Sequence, residues 1–237
     1  MAVCSPLSTP LRLSTKTRRR SEFSATKVKN SNLTISTFNQ LLAIGVVLVA
    51  EKKETSKLFV PLRESGKLYK MDDHIMVAAS GIIADANYLI GEGRQYAQQN
   101  LYSMHTPVLV EELVKEVANR KHYLTQIGSG RPFGVSFMYA GFDRVRGFQL
   151  YNSDPSGNYA AWNAHSTGTN SVTTISSLKE EYKKDVSLKE AMTLGLKLLI
   201  KSMDISRPNA EKFEVGVLHR DAQGAVVQRN VEGAELE

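Results

Sequence analysis

The chain has one cysteine among 237 residues, Cys4, so it can form neither an intrachain disulfide nor a multi-cysteine metal site. That scarcity fits a reducing compartment. It also lacks any apolar run of the roughly 18–20 residues that a membrane-spanning helix requires. The longest such run, Leu41 to Ala50, is too short. Histidine is sparse: the five at 74, 105, 122, 165 and 219 form neither H-x-x-x-H nor H-E-x-x-H, so no metal is expected. A G-x-S-x-G elbow and a Walker A loop are both missing. Gly128-Ser129-Gly130 with Gly134 reads G-x-G-x-x-x-G after a helix rather than a strand, which suits a turn better than a phosphate loop. Gly91-Glu92-Gly93 fails in the same way. The acidic pairs Asp72-Asp73 and Glu111-Glu112 are adjacent rather than convergent and read as solvated charges.

The net charge of +6 is confined to one end. Residues 1–40 carry seven bases and one acid, which leaves 23 of each in the rest of the chain. The body is neutral, so no nucleic-acid partner is expected. The same 40 residues hold 13 Ser or Thr and no hydrophobic periodicity. They are expected to be a disordered basic leader, with an organellar transit peptide as the alternative.

From Leu41 onward the composition is that of a folded body, expected to run to residue 231 before a short acidic tail at 232–237. Gly45–Glu51 and His74–Ser80 read as buried strands, with shorter strands at Lys57–Val60 and Lys67–Lys70. These four are expected to make one antiparallel sheet. Asp85–Tyr102 has helical spacing, and a second helix is expected from Pro107 with Thr106 as its N-cap. Val135, Phe137 and Tyr139 begin a strand apolar on both phases, which suits one covered on both faces. Phe148–Tyr151 runs back from it. Asp154-Pro155-Ser156-Gly157-Asn158 is a turn by composition, and Tyr159–His165 returns as a third strand of a meander. Helices are expected at Thr169–Lys184 and from Ser187 to Met203, the latter opened by the capping box Ser187-x-x-Glu190. A hairpin closes the chain at Phe213–His219 and Ala225–Arg229. The order β-rich, αα, β-rich, αα, ββ predicts an α+β fold: two antiparallel sheets packed together, with a helix pair on each outer side.

Seven motifs, in order, resemble those of proteasome alpha-type subunits, and among them the eukaryotic alpha-3, or alpha type-4, group. They are V-A-E-K-K at 49–53, A-A-S-G-I-I-A-D-A at 78–86, R-P-F-G-V-S-F at 131–137, A-G-F-D at 140–143, G-F-Q-L-Y at 147–151, S-D-P-S-G-N-Y at 153–159 and E-E-Y at 180–182. The resemblance implies a four-layer αββα sandwich of the N-terminal-nucleophile hydrolase type, placed in the heptameric outer ring of a 20S core particle. The implied partners are other alpha subunits, beta subunits and the C-terminal tails of proteasome activators or a regulatory particle. The implied role is assembly, gating and activator docking in ubiquitin-dependent degradation, in cytoplasm and nucleus and without a cofactor. Arg131, Pro132, Phe133, Gly134, Asp154, Pro155, Gly157 and Asn158 fall in motifs that would be structural.

Catalysis in that fold needs a threonine at a free N-terminus, its own amine acting as base. The one Gly-Thr pair, Gly168-Thr169, lies too deep in the chain and reads as a loop entering a helix. No catalytic residue is therefore expected, with an active threonine peptidase of the same fold as an alternative. By the resemblance, Lys67 pairs with the terminal carboxylate of an activator tail, and Gly81 lines the same pocket through its backbone; a solvated lysine at a strand start is the plainer reading of Lys67. The family's opening segment, Y-D-x-x-x-x-x-F-S-P-x-G-R-L-x-Q-V-E-Y-A, is not matched. The gate tail and surface helix are therefore expected to be absent, and a first strand near Ile35–Leu42 weak or missing. That would leave Gly45–Glu51 with an open edge. A misjudged first exon or a divergent, free-standing isoform would each account for such a start.

Overall fold

The computed structural model describes residues 35–42, 45–52, 66–128, 130–182, 186–203, 212–221 and 223–231. The leader through residue 34, the candidate strand at 57–60 and the acidic tail lie outside the described residues. Ten strands and four helices are described. Strands β1 (Ile35–Leu42), β2 (Gly45–Glu51), β3 (Leu68–Asp72) and β4 (Ile75–Gly81) come first. Helices α1 (Ile83–Met104) and α2 (Val110–Gln126) follow. Then come β5 (Val135–Asp143), β6 (Gly147–Ser153), β7 (Tyr159–Ala161) and β8 (His165–Thr167). Helices α3 (Ser171–Glu181) and α4 (Leu188–Met203) precede the closing hairpin of β9 (Phe213–Arg220) and β10 (Val226–Val231).

The strands form two five-stranded sheets, one ordered β10-β9-β2-β1-β8 and the other β3-β4-β5-β6-β7, with every pairing antiparallel. Period-two alternation explains why central strands are apolar on both phases. In β2, Val46, Leu48 and Ala50 meet Met76, Ala78, Met138 and Ala140 between the sheets. Val47 and Val49, on the opposite face, pack with Leu178, Leu198 and Leu199 of α3 and α4. The outer face of the second sheet offers Val77, Phe137 and Tyr139 to Leu89 and Ile90 of α1 and to Leu113, Val114 and Val117 of α2. Three apolar seams thus bind four layers, and the α+β sandwich read from the sequence is the one observed.

Several local expectations are corrected. The four early strands do not share a sheet: β2 joins β9 and β1, whereas β3 and β4 join β5. Strands buried as fully as β2 and β4 need partners on both edges, and neighbours in sequence supply only part of that need. The first strand is present. Residues 35–38 of β1 pair with 47–50 of β2, and residues 35–37 also pair with β8, so β2 has no open edge. Disorder to residue 40 is accordingly overturned for 35–40, where Ile35, Thr37 and Phe38 are residue types that suit a strand.

The third meander strand divides. β7 stays beside β6, whereas His165–Thr167 crosses to the other sheet as β8. Helix α2 starts at Val110, later than expected, with Leu109 as an N-cap that makes no side-chain bond. Val108 is buried, and its carbonyl oxygen lies 2.8 Å from His74 Nε2, which holds the Pro107 segment extended. The capping box before α4 is formed: Ser187 Oγ and Glu190 reach back to each other's backbone amides at 3.4 and 2.9 Å.

Candidate functional site

The residues singled out from the sequence gather at one end of the β3–β7 sheet, where β3 begins, β4 ends, β5 begins and β6 ends. Lys67 immediately precedes β3. Its backbone N–H donates to Glu214 Oε2 of β9 at 2.8 Å, and its carbonyl accepts from Ala79 of β4 at 2.9 Å. The residue is only 7% exposed, so the solvated strand-start reading is corrected: burial between two sheets holds it. Gly81 closes β4 two residues beyond Ala79 and pairs with Val135. Its φ of +129° suits glycine, and a Cβ there would fall 2.1 Å from the Gly134 carbonyl oxygen. The structure therefore brings Lys67 and Gly81 to the same end of the sheet.

Arg131, Pro132, Phe133 and Gly134 form the loop entering β5. Arg131 donates from Nη1 and Nη2 to the two oxygens of Asp85, each at 2.7 Å, and the Gly134 N–H adds a third bond to Asp85 at 2.9 Å. Asp85 sits in the first turn of α1, where a carboxylate also complements the helix dipole. The Arg131 hydrogen bonds hold its carboxyl below the ordinary range, against the opposing effect of burial. Phe133 stacks on Tyr88 of α1 with ring centroids 5.9 Å apart.

The turn at 154–158 leans on α2. Asp154 N–H donates to the Asn158 carbonyl at 2.9 Å, and Gly157 N–H to the Asp154 carbonyl at 3.0 Å. Gly157 has φ +88° and lies so close to α2 that a Cβ would fall 2.7 Å from the Ala118 carbonyl oxygen. Pro155 fixes the backbone of the first turn residue.

Beneath this turn lies a polar cluster that sequence reading missed. Lys121 of α2 is fully buried, and its ammonium donates to Ser153 Oγ at 2.8 Å and to the Val135 carbonyl at 3.1 Å. It also lies 4.5 Å above the Phe137 ring. Burial lowers its pKa to about 7, the Asp154 carboxylate acting in the opposite sense. Tyr139 Oη is 3.3 Å from Ser153 Oγ, and burial raises the phenol. A serine 2.8 Å from a lysine of depressed pKa has the form of a nucleophile–base pair. Lys121 and Ser153 are both 0% exposed, however, and the ring of Phe137 lies against the lysine, so no substrate reaches them. The cluster is a buried clamp joining α2 to β5 and β6. In the sequence, Lys121 is one of several polar residues in a helix, and nothing local marks it as buried.

Gly168-Thr169 precedes α3, with Gly168 at φ +107° and Asn170 in the left-handed region at φ +61°. This is the loop entering a helix that the sequence suggested. Among the described residues, no three His, Cys, Asp or Glu side chains are placed to hold a metal ion. No described helix is long and apolar enough to cross a membrane.

A model of the family described as "Proteasome subunit" matches residues 43–218. The chain belongs to the proteasome subunit family. It is 47% identical over 180 residues to proteasome subunit alpha type-4-1 of Oryza sativa subsp. japonica, covering 76% of this chain and 72% of that protein. Over 207 residues it is 44% identical to proteasome subunit alpha type-4 of Dictyostelium discoideum, covering 86% and 82%. The alpha type-4 subunit of Spinacia oleracea is 46% identical over 182 residues, 77% and 73% of the two chains. Within the proteasome family, then, the clustered end of the β3–β7 sheet belongs to a chain similar to alpha type-4 subunits.

Proposed function

We propose that this chain is a non-catalytic alpha subunit of the outer ring of the 20S proteasome, in contact with other alpha subunits and with beta subunits. The observation that carries this reading is its likeness to proteins named alpha type-4 over most of both chains. The position of Thr169 supports the absence of catalysis: its nitrogen is held in a peptide bond after Gly168, within the loop before α3. A threonine with no free amine lacks the base that the chemistry of this fold requires. The paired first strand supports ring membership over a free-standing isoform, because the open edge that favoured the latter is filled.

Lys67 and Gly81 are the proposed docking elements for the C-terminal tail of an activator. Their support is convergence at one sheet end and the chemistry of a lysine, a point cation suited to a terminal carboxylate. The ammonium is buried in the isolated chain, so docking there requires the side chain to turn outward. The cytoplasm and nucleus are the proposed compartments. The test is expression of the tagged chain in cells, followed by separation of native complexes. Co-migration with 20S particles, and no peptide hydrolysis by the purified chain alone, are expected. A chain that sediments free, or that cleaves peptides by itself, refutes the proposal. Within assembled particles, Lys67→Glu should abolish activator-stimulated peptide hydrolysis and leave the rings intact; unchanged stimulation removes Lys67 from the role.

A further inference from the structure

Lys67 is held by a residue 147 positions away in the chain, on the other sheet. Glu214 belongs to β9, opposite Ala50 of β2, a residue of the seam between the sheets. From there its carboxylate reaches the opposite sheet and accepts the Lys67 backbone N–H at 2.8 Å, a charge-assisted hydrogen bond. The Lys67 carbonyl is meanwhile bonded within its own sheet, to Ala79. The peptide units on both sides of Lys67 are thereby fixed, and with them the direction in which the side chain leaves the backbone. The preceding residue is fitted to this contact. A Cβ on Gly66 would lie 2.7 and 2.8 Å from the two Glu214 oxygens, so a side chain at residue 66 would push the carboxylate from its present place at the amide.

We infer that Glu214, with Gly66 leaving room for it, is the positioning residue for activator docking at Lys67. The inference rests on the docking role proposed above for Lys67. It adds that the lysine's seat is built by both sheets, so that the closing hairpin bears directly on tail recognition. Glu214 does not touch the incoming tail; it orients the residue that does.

The experiment uses 20S particles containing this chain and a synthetic activator-tail peptide, made once with a free terminal carboxylate and once as the terminal amide. In wild-type particles the free acid should bind roughly tenfold more tightly than the amide, the size expected for one charge-assisted contact. Lys67→Ala should remove that preference. Glu214→Ala and Gly66→Ala should each remove it as well, by different routes: one deletes the acceptor, the other displaces it. Glu214→Gln keeps a carbonyl oxygen for the Lys67 N–H and should hold the preference within about twofold of wild type. A purely structural role would lower thermal stability but leave the acid-to-amide ratio unchanged. If Lys67→Ala abolishes the ratio while Glu214→Ala and Gly66→Ala preserve it, the positioning role is wrong and the docking role stands. A lost ratio in Glu214→Gln also overturns the hydrogen-bonded seat. If Lys67→Ala itself preserves the ratio, the docking role and the inference fall together.

Discussion

Arg131 grips both oxygens of Asp85 at 2.7 Å and so ties the loop entering β5 to the first turn of α1, 46 residues earlier in the chain. The Gly134 N–H shares the same carboxylate. The folded-state pKa of Asp85 is lowered from 3.8, chiefly by Arg131, so the ionised form is stabilised by folding. The sign follows: this stability is present above the unfolded pKa and is lost as pH falls through the lower folded value. Asp85→Asn should therefore lower the melting temperature near neutral pH. The difference from wild type should shrink as acid protonates the native carboxylate below about pH 4. Melting curves of the two proteins between neutral pH and pH 3 test this; a gap that widens in acid would contradict it.

Lys121 should give the opposite end of the pH range its own signature. Its folded pKa of about 7, against 10.5 unfolded, means that between these values the unfolded chain binds the extra proton. Stability from this group is complete above the unfolded value and is lost as pH falls through the folded one. Relative to Lys121→Met, wild-type unfolding free energy should rise by roughly 1.4 kcal/mol per pH unit between about pH 7.5 and 10. Denaturant titrations of both proteins at three pH values measure that slope. Parallel behaviour would mean that the buried amine does not titrate in this window.

Gly157→Ala should destabilise the turn under which Lys121 lies. The positive φ of 88° disfavours any side chain, by roughly 1–3 kcal/mol, and the added methyl would meet the Ala118 carbonyl oxygen at 2.7 Å. The neighbouring exposed Ser156 provides the control, since Ser156→Ala should change stability by less than about 0.5 kcal/mol. Equal melting temperatures for the two variants would show that the turn does not press on α2.

How far the fold was legible follows from the range of each signal. The β5–β6 hairpin, the turn at 154–158, the capping box at Ser187 and the closing hairpin are set by residues close in sequence, and each was read correctly. Membership of β2 and β4 in separate sheets was not legible, because both are equally apolar and their partners lie far along the chain. Pro107 suggested an early start for α2, but the burial of Val108 and its contact with His74 overrode that local preference. At the candidate site the motif residues could be named from sequence, whereas Glu214 and Lys121 could not. Each acts through a contact to a residue far along the chain, and each looks like an ordinary charged residue in its own segment.

The clearest correction, the presence of β1, carries its own prediction. Thr37 stands opposite Leu48 of β2 and His165 of β8, so its amide faces a paired strand whichever way it points. Proline there removes one ladder donor and introduces a ring at a position flanked on both edges. Thr37→Pro should destabilise the chain by roughly 1–3 kcal/mol, the cost of leaving a buried partner unsatisfied. Hydrogen exchange locates the effect. Amides of β2 and β8 that face β1 should exchange much faster in the variant, while β2 amides facing β9 keep most of their protection, because that pairing runs from Gly45 to Glu51 without a break. If the β1-facing amides of β2 already exchange freely in the wild-type protein, the strand is not formed in solution, and the open edge first expected from the sequence returns.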